Sequence, residues 1–248
     1  MNVTTSELGT ARVLTWDRQD RRNAWTRAVI EDLAAAIEAS AHDPAVRCVV
    51  ARGAGDHFSA GDDLFATAAA DAAEWERIVA AFQRLTVATL RAPAPVLAAI
   101  DGVCIGGALE FAASCDLRVC TNRARFGTPE VRIGLTATNA GTLLLPEVLG
   151  ETAARRLLMT GELVDAAWAQ ANGFVSDVVT PRELDARVAA VAGAFDDTSR
   201  TAVAATKALL NDRFGDLLDA ALRRETDACV GLFEGDDARQ AVQAFVAR

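Results

Sequence analysis

The chain has 248 residues, 51% of them hydrophobic, and a formal net charge of −9 at pH 7. This length and apolar content suffice for one large domain, or for a main domain with a helical appendage. The acidic balance argues against nucleic acid as a partner, because binding a phosphate backbone requires clustered Lys and Arg. A local basic patch for one small phosphorylated ligand remains compatible with it.

Cysteine usage and the N-terminus indicate the compartment. The five cysteines are odd in number, form no C-x-x-C pair and lie mostly in apolar runs, which is typical of reduced core residues in a cytosolic protein. Residues 1–7 lack a basic region followed by an apolar one, and no apolar stretch approaches membrane-spanning length. We therefore expect a cytoplasmic protein with no membrane segment.

Two β-like runs, residues 3–8 and 12–16, open the chain; they meet at Gly9-Thr10 and predict a hairpin. The polar loop 17–23 follows and contains three arginines. It is either a solvated turn or a contact for ligand phosphates, and the residues alone leave both interpretations open.

A helix and a buried strand come next. Thr26 is placed to cap a helix whose apolar residues recur at helical spacing, and Asp43-Pro44 ends that helix. Residues 46–51 form an apolar run that predicts a buried strand. The resulting β-α-β order favours parallel pairing and an α/β fold.

The loop after this strand stands where α/β proteins place their sites. It contains no nucleophile elbow, because G-x-S-x-G would need glycine where His57 stands. His57 is a candidate general base or a hydrogen-bonding loop residue, and Asp62 and Asp63 are candidate metal ligands or helix caps. No further ligands stand at metal-binding spacing, so we expect no metal. Ala60 and Gly61 leave their backbone N–H groups open to a ligand oxygen.

A glycine turn between a strand and a helix is the central feature of the sequence. Residues 72–91 carry a helical pattern, and residues 95–100 form an apolar run that predicts a second buried strand. Glycines at 102, 106 and 107 then form a turn, and good helix formers follow. The start of that helix suits an anion or a polarised carbonyl oxygen. The glycine spacing does not match the G-x-G-x-x-G fingerprint of dinucleotide-binding folds.

Two acids accompany this turn. Glu110 is the only ionisable group between Asp101 and Asp116, so burial should raise its pKa. It is a candidate catalytic acid or a residue that complements the helix dipole. Glu130 lies 20 residues further on, directly after Pro129, and is a second candidate or a surface turn residue. Two carboxylates held against one ligand can act as acid and base.

The rest of the chain is mostly helical from residue 140 onward. Short helices flank Gly150, another ends at Asn172-Gly173, and a short strand is predicted over residues 174–179. We expect a core over residues 1–195 and a C-terminal helical region over residues 196–248 that serves oligomerisation and covers the site.

Several of these pieces together resemble the enoyl-CoA hydratase/isomerase family, also called the crotonase superfamily. The ordered set is specific and covers nearly the whole chain. The pieces are Phe58-Ser59-Ala60-Gly61-Asp62-Asp63-Leu64, Gly106-Gly107-Ala108-Leu109-Glu110 through Cys115-Asp116, Phe126-Gly127-Thr128-Pro129-Glu130 with Gly134, and Gly161-Glu162-Leu163-Val164-Asp165-Ala166 to Gly173-Phe174-Val175.

The resemblance implies an α/β, crotonase-like spiral of ββα turns with a C-terminal helical region, assembled as a homotrimer or a dimer of trimers. It implies an acyl-CoA thioester as substrate, with two backbone N–H groups that hold the thioester oxygen, and the matching positions are Ala60 and Gly107. The two family glutamates fall on Glu110 and Glu130. In similar hydratases the first activates water for attack at C3 and the second delivers a proton at C2. No cofactor is implied, since coenzyme A is part of the substrate.

Further substrate contacts are implied by the same resemblance. The loop around Arg22 lies where the family binds the nucleotide end of coenzyme A, and Lys207 resembles a tail lysine that can reach the coenzyme A phosphates. One departure is the stretch 135–142, which stands where many hydratases have a more glycine-rich turn. Its bulkier residues leave the acyl specificity open and can change where water sits. The predicted substrate-binding residues are Arg22, Asn23, Ala24, Ser59, Gly61, Asp62, Gly106, Pro129, Thr138 and Lys207.

The function expected from the residues and the resemblance is hydration of the 2,3 double bond of an enoyl-CoA thioester. The first alternative is a double-bond isomerase in which Glu130 alone moves the proton and Glu110 is a spectator. The second is a protein that binds acyl-CoA without turning it over.

Overall fold

The computed structural model describes residues 2–247, and its main sheet grows from the N-terminal hairpin. Strands β1 (Val3–Leu8) and β2 (Ala11–Trp16) pair antiparallel, so the predicted hairpin is confirmed. Strand β3 (Cys48–Gly53) pairs parallel with β2, as the β-α-β order predicts. The sheet order is β1-β2-β3-β4-β6-β9, where β4 is Val96–Ile100, β6 is Leu117–Thr121 and β9 is Asp177–Val179.

A second, smaller sheet lies at the end of β4. It contains β5 (Val103–Ile105), β7 (Arg125–Gly127) and β8 (Leu163–Asp165), with β5 parallel and β8 antiparallel to β7. The sequence did not predict β5, because its three residues lie inside the glycine turn and pair only with residues distant in the chain. Likewise, the strand predicted over residues 174–179 is regular only at its end, in β9.

Helices cover both faces of the main sheet. Helix α1 (Arg27–His42) begins directly after Thr26, and α3 (Ala72–Arg91) has the limits that its apolar pattern predicts. The remaining helices are α2 Leu64–Ala69, α4 Gly107–Ser114, α5 Gly141–Leu149, α6 Glu151–Thr160, α7 Ala166–Ala171, α8 Leu184–Gly193, α9 Arg200–Asp212, α10 Gly215–Phe233 and α11 Asp236–Val246.

The core is divided by the sheet because successive strand residues point to opposite faces. Leu14, Ala51 and Ala98 belong to the larger cluster, which packs with α1, α3 and α4. Val13 and Val50 belong to the smaller cluster, which α8 covers. The larger cluster borders the glycine turn, so the site lies on the face of the main sheet that this cluster covers.

The C-terminal helices lie over the elements that carry the site. Helix α10 packs against α3 and α5, and α11 packs against α2 and the 3-10 turn Pro129–Ile133. The boundary expected at residue 195 stays a prediction. Within residues 2–247, no helix is both long and apolar enough to span a bilayer.

Candidate active site

Two glycine turns meet in front of α4. Ser59 pairs with the small sheet, donating its N–H to the Val103 carbonyl at 2.9 Å, while the Ile105 N–H donates to the Ser59 carbonyl at 3.2 Å. Gly61 follows with φ +80°, and a Cβ there would lie 2.7 Å from the Ile105 carbonyl oxygen and 3.4 Å from the Gly107 nitrogen. Only glycine therefore allows the loop after β3 to approach the start of α4 this closely.

The unpaired backbone donors at this junction differ from the predicted pair. The prediction that Ala60 is an oxyanion donor is wrong, because its N–H already donates to the Arg22 carbonyl at 3.0 Å. The next N–H, of Gly61, donates to Ser59 Oγ at 3.0 Å. Within residues 2–247 no acceptor lies in hydrogen-bond range of the Asp62 N–H, nor of the Gly107 N–H at the start of α4. The geometry moves one member of the predicted oxyanion hole from Ala60 to Asp62.

A cavity of about 640 Å³ opens in front of these two donors. Its walls are mostly apolar, with a few polar groups among them, which is the usual character of a small-molecule site. Arginines stand in its wall on the side of the loop before α1. Its lining includes Arg21, Arg22, Ala24, Asp62, Phe65, Trp75, Phe82, Gly106, Gly107, Pro129, Glu130, Leu135, Thr138 and Phe245.

Glu130 is the catalytic candidate that lines this cavity. It starts the 3-10 turn after Pro129, and a Cβ at Gly106 would lie 2.9 Å from its Oε1, so glycine is required there too. Burial raises the pKa of Glu130 to about 7, and the Asp62 carboxyl adds to the rise. Its Oε2 is buried and has no partner within residues 2–247. Such a group holds a proton near neutral pH, as an acid catalyst must.

Glu110 lies behind the cavity wall and does not line the cavity. Its Oε2 accepts three backbone N–H groups, from Thr138 at 3.2 Å, Asn139 at 3.0 Å and Gly141 at 3.0 Å. When the Asn139 amide is oriented to donate, its nitrogen lies 3.0 Å from Oε1 and 2.6 Å from Oε2. Burial raises the pKa of Glu110, as do the carboxylates of Glu225 and Glu130, and the backbone donors oppose that rise.

Glu225 is a buried acid that sequence reasoning missed. From α10 it accepts the N–H of Ala140 at 2.7 Å and both the N–H and Oγ1 of Thr142, at 2.8 and 2.5 Å. Five consecutive N–H groups, 138–142, thus donate to two carboxylates, and Ala140 is held at φ +68°. Glu225 falls on the apolar stripe of α10 with Leu222 and Cys229, and an acid in a buried stripe is a signal that could have found it.

Most of the predicted substrate-binding residues line the cavity, but four lie outside it: Asn23, Ser59, Gly61 and Lys207. Gly61 and Ser59 build the loop, and the Ser59 side chain is fully buried under the Gly61 N–H. Asn23 is also fully buried; its amide donates to the carbonyls of Ala54 and His57 at 2.8 and 2.6 Å. The structure thus places Asn23 and Ser59 as supports of the loops. Those in the cavity wall are Arg22, Ala24, Asp62, Gly106, Pro129 and Thr138.

Lys207, the only lysine in the sequence, is the predicted substrate-binding residue whose position differs most from the prediction. Its ammonium is buried and donates to the carbonyls of Thr89 and Ala94 at 2.9 and 3.3 Å and to Asp116 Oδ2 at 2.6 Å. An ammonium has three donors and all three are used. The expected contact with coenzyme A phosphates is therefore wrong for this chain, in which Lys207 ties α9 to the core.

Asp63 and His57, the loop residues for which the sequence left two interpretations open, have structural roles. Asp63 caps α2 by accepting the Phe65 N–H at 3.0 Å, and it bonds Arg18 at 2.7 Å. His57 Nδ1 accepts the Val103 N–H at 3.3 Å. The helix-cap and loop interpretations are thus confirmed for these two residues. Within the described chain, no three His, Cys, Asp or Glu side chains are grouped to hold a metal.

A fold with two glycine turns in front of one short buried helix, and an acid from the following turn, identifies the class. The chain belongs to the enoyl-CoA hydratase/isomerase family, whose model matches residues 9–248. The crotonyl-CoA hydratase of Syntrophomonas wolfei is 33% identical over 235 residues, which cover 94% of this chain and 90% of that one. The short-chain-enoyl-CoA hydratase of Clostridium acetobutylicum is 30% identical over 250 residues, with 99% and 94% covered.

The fold is also shared with solved structures. The crystal structure of an enoyl-CoA hydratase from Mycobacterium avium subsp. paratuberculosis has a TM-score of 0.90 and 29% identity, and the match covers 100% of this chain and 96% of that one. The crotonase-like α/β fold implied by the sequence motifs is therefore confirmed.

Proposed function

We propose that this chain is an enoyl-CoA hydratase, which adds water across the 2,3 double bond of an enoyl-CoA thioester without a metal or redox cofactor. One observation carries the proposal: the N–H groups of Asp62 and Gly107 have no acceptor among residues 2–247, and both residues line the same cavity as Glu130. The two relatives named as hydratases support the same reaction.

The reaction follows from where charge develops. Attack at C3 moves negative charge onto the thioester oxygen, and the N–H groups of Asp62 and Gly107 stabilise it, by about 3 kcal/mol per donor. Glu130 then gives its proton to C2 and becomes a carboxylate. Glu110 takes the proton of the attacking water, and this water must bind at Oε1, because Oε2 already accepts three backbone N–H groups.

The isomerase is a second candidate because Glu130 lines the cavity and Glu110 does not. In that reaction Glu130 alone removes a proton from one carbon of the acyl chain and returns it to another. The same two N–H groups hold the enolate in both reactions. The two candidates therefore differ in what Glu110 does.

The coenzyme A end, the assembly and the compartment complete the proposal. Arg22, with Arg21 beside it, stands in the cavity wall where it can pair with coenzyme A phosphates. We propose a homotrimer or a dimer of trimers, supported by Leu209, Leu210 and Leu217, which are 75, 64 and 58% exposed on the C-terminal helices. Five buried free cysteines support a cytoplasmic location.

The test follows the loss of crotonyl-CoA absorbance with wild type, Glu110→Gln, Glu130→Gln and the charge-matched surface control Glu76→Gln. If the chain is a hydratase, Glu110→Gln and Glu130→Gln each lower turnover by about two to four orders of magnitude. Both variants still bind the thioester as wild type does, and Glu76→Gln keeps the wild-type turnover. An isomerase shows no hydration; it converts a 3-enoyl-CoA to the conjugated 2-enoyl-CoA, with a gain of absorbance that depends on Glu130 alone. Tight binding of both thioesters with turnover of neither in wild type contradicts both enzymes and leaves a binding protein.

A further inference from the structure

Thr138 connects the buried Glu110 to the cavity. Glu110 lies behind the cavity wall, although the proposed hydration requires it to take a proton from the attacking water. Three residues donate their N–H groups to Glu110 Oε2, namely Thr138 at 3.2 Å, Asn139 at 3.0 Å and Gly141 at 3.0 Å. Of these three, Thr138 alone lines the cavity. It therefore contacts the acid on one side and the cavity on the other.

The backbone of Thr138 is held at both ends. Its N–H donates to Glu110 on α4, and its carbonyl accepts Nε2 of Gln83 on α3 at 2.9 Å. The same Gln83 nitrogen donates to the Leu222 carbonyl on α10 at 3.0 Å. Because these bonds fix the backbone, only rotation about χ1 remains to place the Thr138 hydroxyl.

The Thr138 hydroxyl itself is not used by the protein. Oγ1 has no hydrogen-bond partner within residues 2–247, although the residue is only 7% exposed. It is also not enclosed, in contrast to Glu130 Oε2. Since Thr138 lines the cavity, its free hydroxyl is open to the space in front of the two oxyanion donors. A hydroxyl there offers one donor and two acceptor sites to a bound molecule.

One water molecule can contact both the hydroxyl and Glu110. The covalent geometry of threonine keeps Oγ1 within about 4 Å of its own nitrogen. That nitrogen lies 3.2 Å from Glu110 Oε2, so Oγ1 lies within about 7 Å of the carboxylate. At ordinary O–H···O distances, a single water joins two oxygens up to about 6 Å apart.

We propose that the Thr138 hydroxyl holds the attacking water between Glu110 and the substrate. The water donates one O–H to Glu110 Oε1 and the other to Thr138 Oγ1, which directs a lone pair at C3. As the new C–O bond forms, the first O–H bond breaks and its proton goes to Glu110, while the electrons of the double bond move to the thioester oxygen. This role rests on the proposed function, because an isomerase has no attacking water.

The hydroxyl should therefore matter for one half of the reaction only. The thioester oxygen is held by the N–H groups of Asp62 and Gly107, and the proton at C2 belongs to Glu130. Formation of the enolate can be followed alone, as exchange of the C2 protons of butyryl-CoA for deuterium in D2O, since a saturated thioester undergoes no attack at C3. Hydration and exchange thus separate the role of the water from the role of the enolate site.

Thr138→Val is the decisive variant, because valine keeps the branched shape and the backbone N–H but lacks the hydroxyl. We expect kcat for crotonyl-CoA to fall about 10- to 100-fold, while the C2 exchange of butyryl-CoA stays near the wild-type rate. Thr138→Ser keeps the hydroxyl and should recover most of the hydration. Thr138→Ala is a second variant without the hydroxyl, and circular dichroism checks that each variant is folded.

Thr136→Val is the matched comparison. Thr136 also lines the cavity, but within residues 2–247 it does not bond Glu110. Its substitution should change hydration and exchange by the same factor, so the ratio of the two rates stays at the wild-type value.

The outcomes distinguish the role of Thr138 from the proposed function. Equal losses of hydration and exchange in Thr138→Val contradict the role, because a merely structural residue produces them. Wild-type hydration in Thr138→Val overturns it as well. If wild type hydrates crotonyl-CoA but exchanges no C2 protons, equal kcat values for Thr138→Val and Thr138→Ser overturn it. If wild type hydrates no crotonyl-CoA, the proposed function fails and the role of Thr138 falls with it.

Discussion

Glu110, which is buried, and Glu130, which is half-buried, are two acids close to α4, yet their surroundings are opposite. Glu110 receives three backbone N–H groups from the loop 138–141 and is 1% exposed. Glu130 has a buried oxygen with no partner in the described part of the chain, and the carboxyl group of Asp62 adds to the rise of its pKa. Backbone N–H groups of the protein stabilise the charge of Glu110. At Glu130, the unpaired oxygen must instead bind a proton or contact a substrate.

This difference separates an acid that also holds a loop in place from an acid that does not. A carboxylate with several backbone donors fixes a loop, and its removal strands those donors. A carboxyl group with a buried oxygen that lacks a donor adds little to stability, so its presence needs a functional reason. Because the two acids differ in their donors, the substitutions below should affect the two regions in different ways.

Replacing each glutamate by alanine gives the largest expected contrast. Glu110→Ala strands three backbone N–H groups and opens a cavity, so we expect a loss of about 3 kcal/mol in the free energy of unfolding. Glu130→Ala strands no donor and should stay within about 1 kcal/mol of wild type. Urea unfolding of both variants measures the contrast, and equal losses would show that the two regions do not differ.

Gly141→Ala tests how tightly the loop closes on Glu110. The added Cβ would lie 2.4 Å from Glu110 Oε2 and 2.8 Å from its Cδ, and both atoms are buried. We expect a loss of about 2 kcal/mol from overpacking, together with reduced turnover. Gly231→Ala is the matched control, because nothing lies within 4 Å of its Cβ inside α10, and it should stabilise the protein by about 0.5–1 kcal/mol. A neutral Gly141→Ala would show that the loop is loose.

Much of the scaffold around these regions could be predicted from the sequence. The hairpin at Gly9, the limits of α3 and the cap at Asp63 are local, so residue type and periodicity decide them. The glycine turn before α4 belongs to the same group, because glycine is needed at Gly106 both for φ +61° and for the approach of Glu130. The resemblance to the family then predicted how these elements are arranged in one fold.

What could not be predicted depends on contacts distant in the chain. Ala60 has the small side chain expected of an oxyanion donor, but its N–H is used by Arg22, whose backbone has φ +51°. Lys207 has the charge to bind phosphate, but it is 5% exposed and paired with Asp116. Which donor is occupied and which charge is buried are properties of the packed protein, so residue type alone does not reveal them.

Glu225→Gln should give a smaller loss than the first two changes. The carboxylate accepts from Ala140 and Thr142, and the amide nitrogen of glutamine would face one of those donors without accepting. We expect about 1–2 kcal/mol of destabilisation and a lower Tm. Asp227→Asn, an exposed acid on the same helix, is the control that should leave Tm unchanged. If the two variants had the same Tm, the loop 138–142 would not depend on α10.

The pH dependence of stability gives the smallest effect and tests the Glu130 region by sign. Burial raises the pKa of folded Glu130 to about 7 from its ordinary value of 4.5, so between these values the folded chain binds more protons than the unfolded chain. Stability from this group is therefore fully present below about pH 4.5 and is lost as the pH rises through about 7. Glu130→Gln removes that dependence. In urea unfolding, the stability of wild type relative to Glu130→Gln should thus fall by about 1–2 kcal/mol between about pH 5 and about pH 7.5, while Glu76→Gln stays parallel to wild type. The opposite slope would mean that a donor stabilises the ionised Glu130, which would make its surroundings like those of Glu110 and remove the distinction between the two acids.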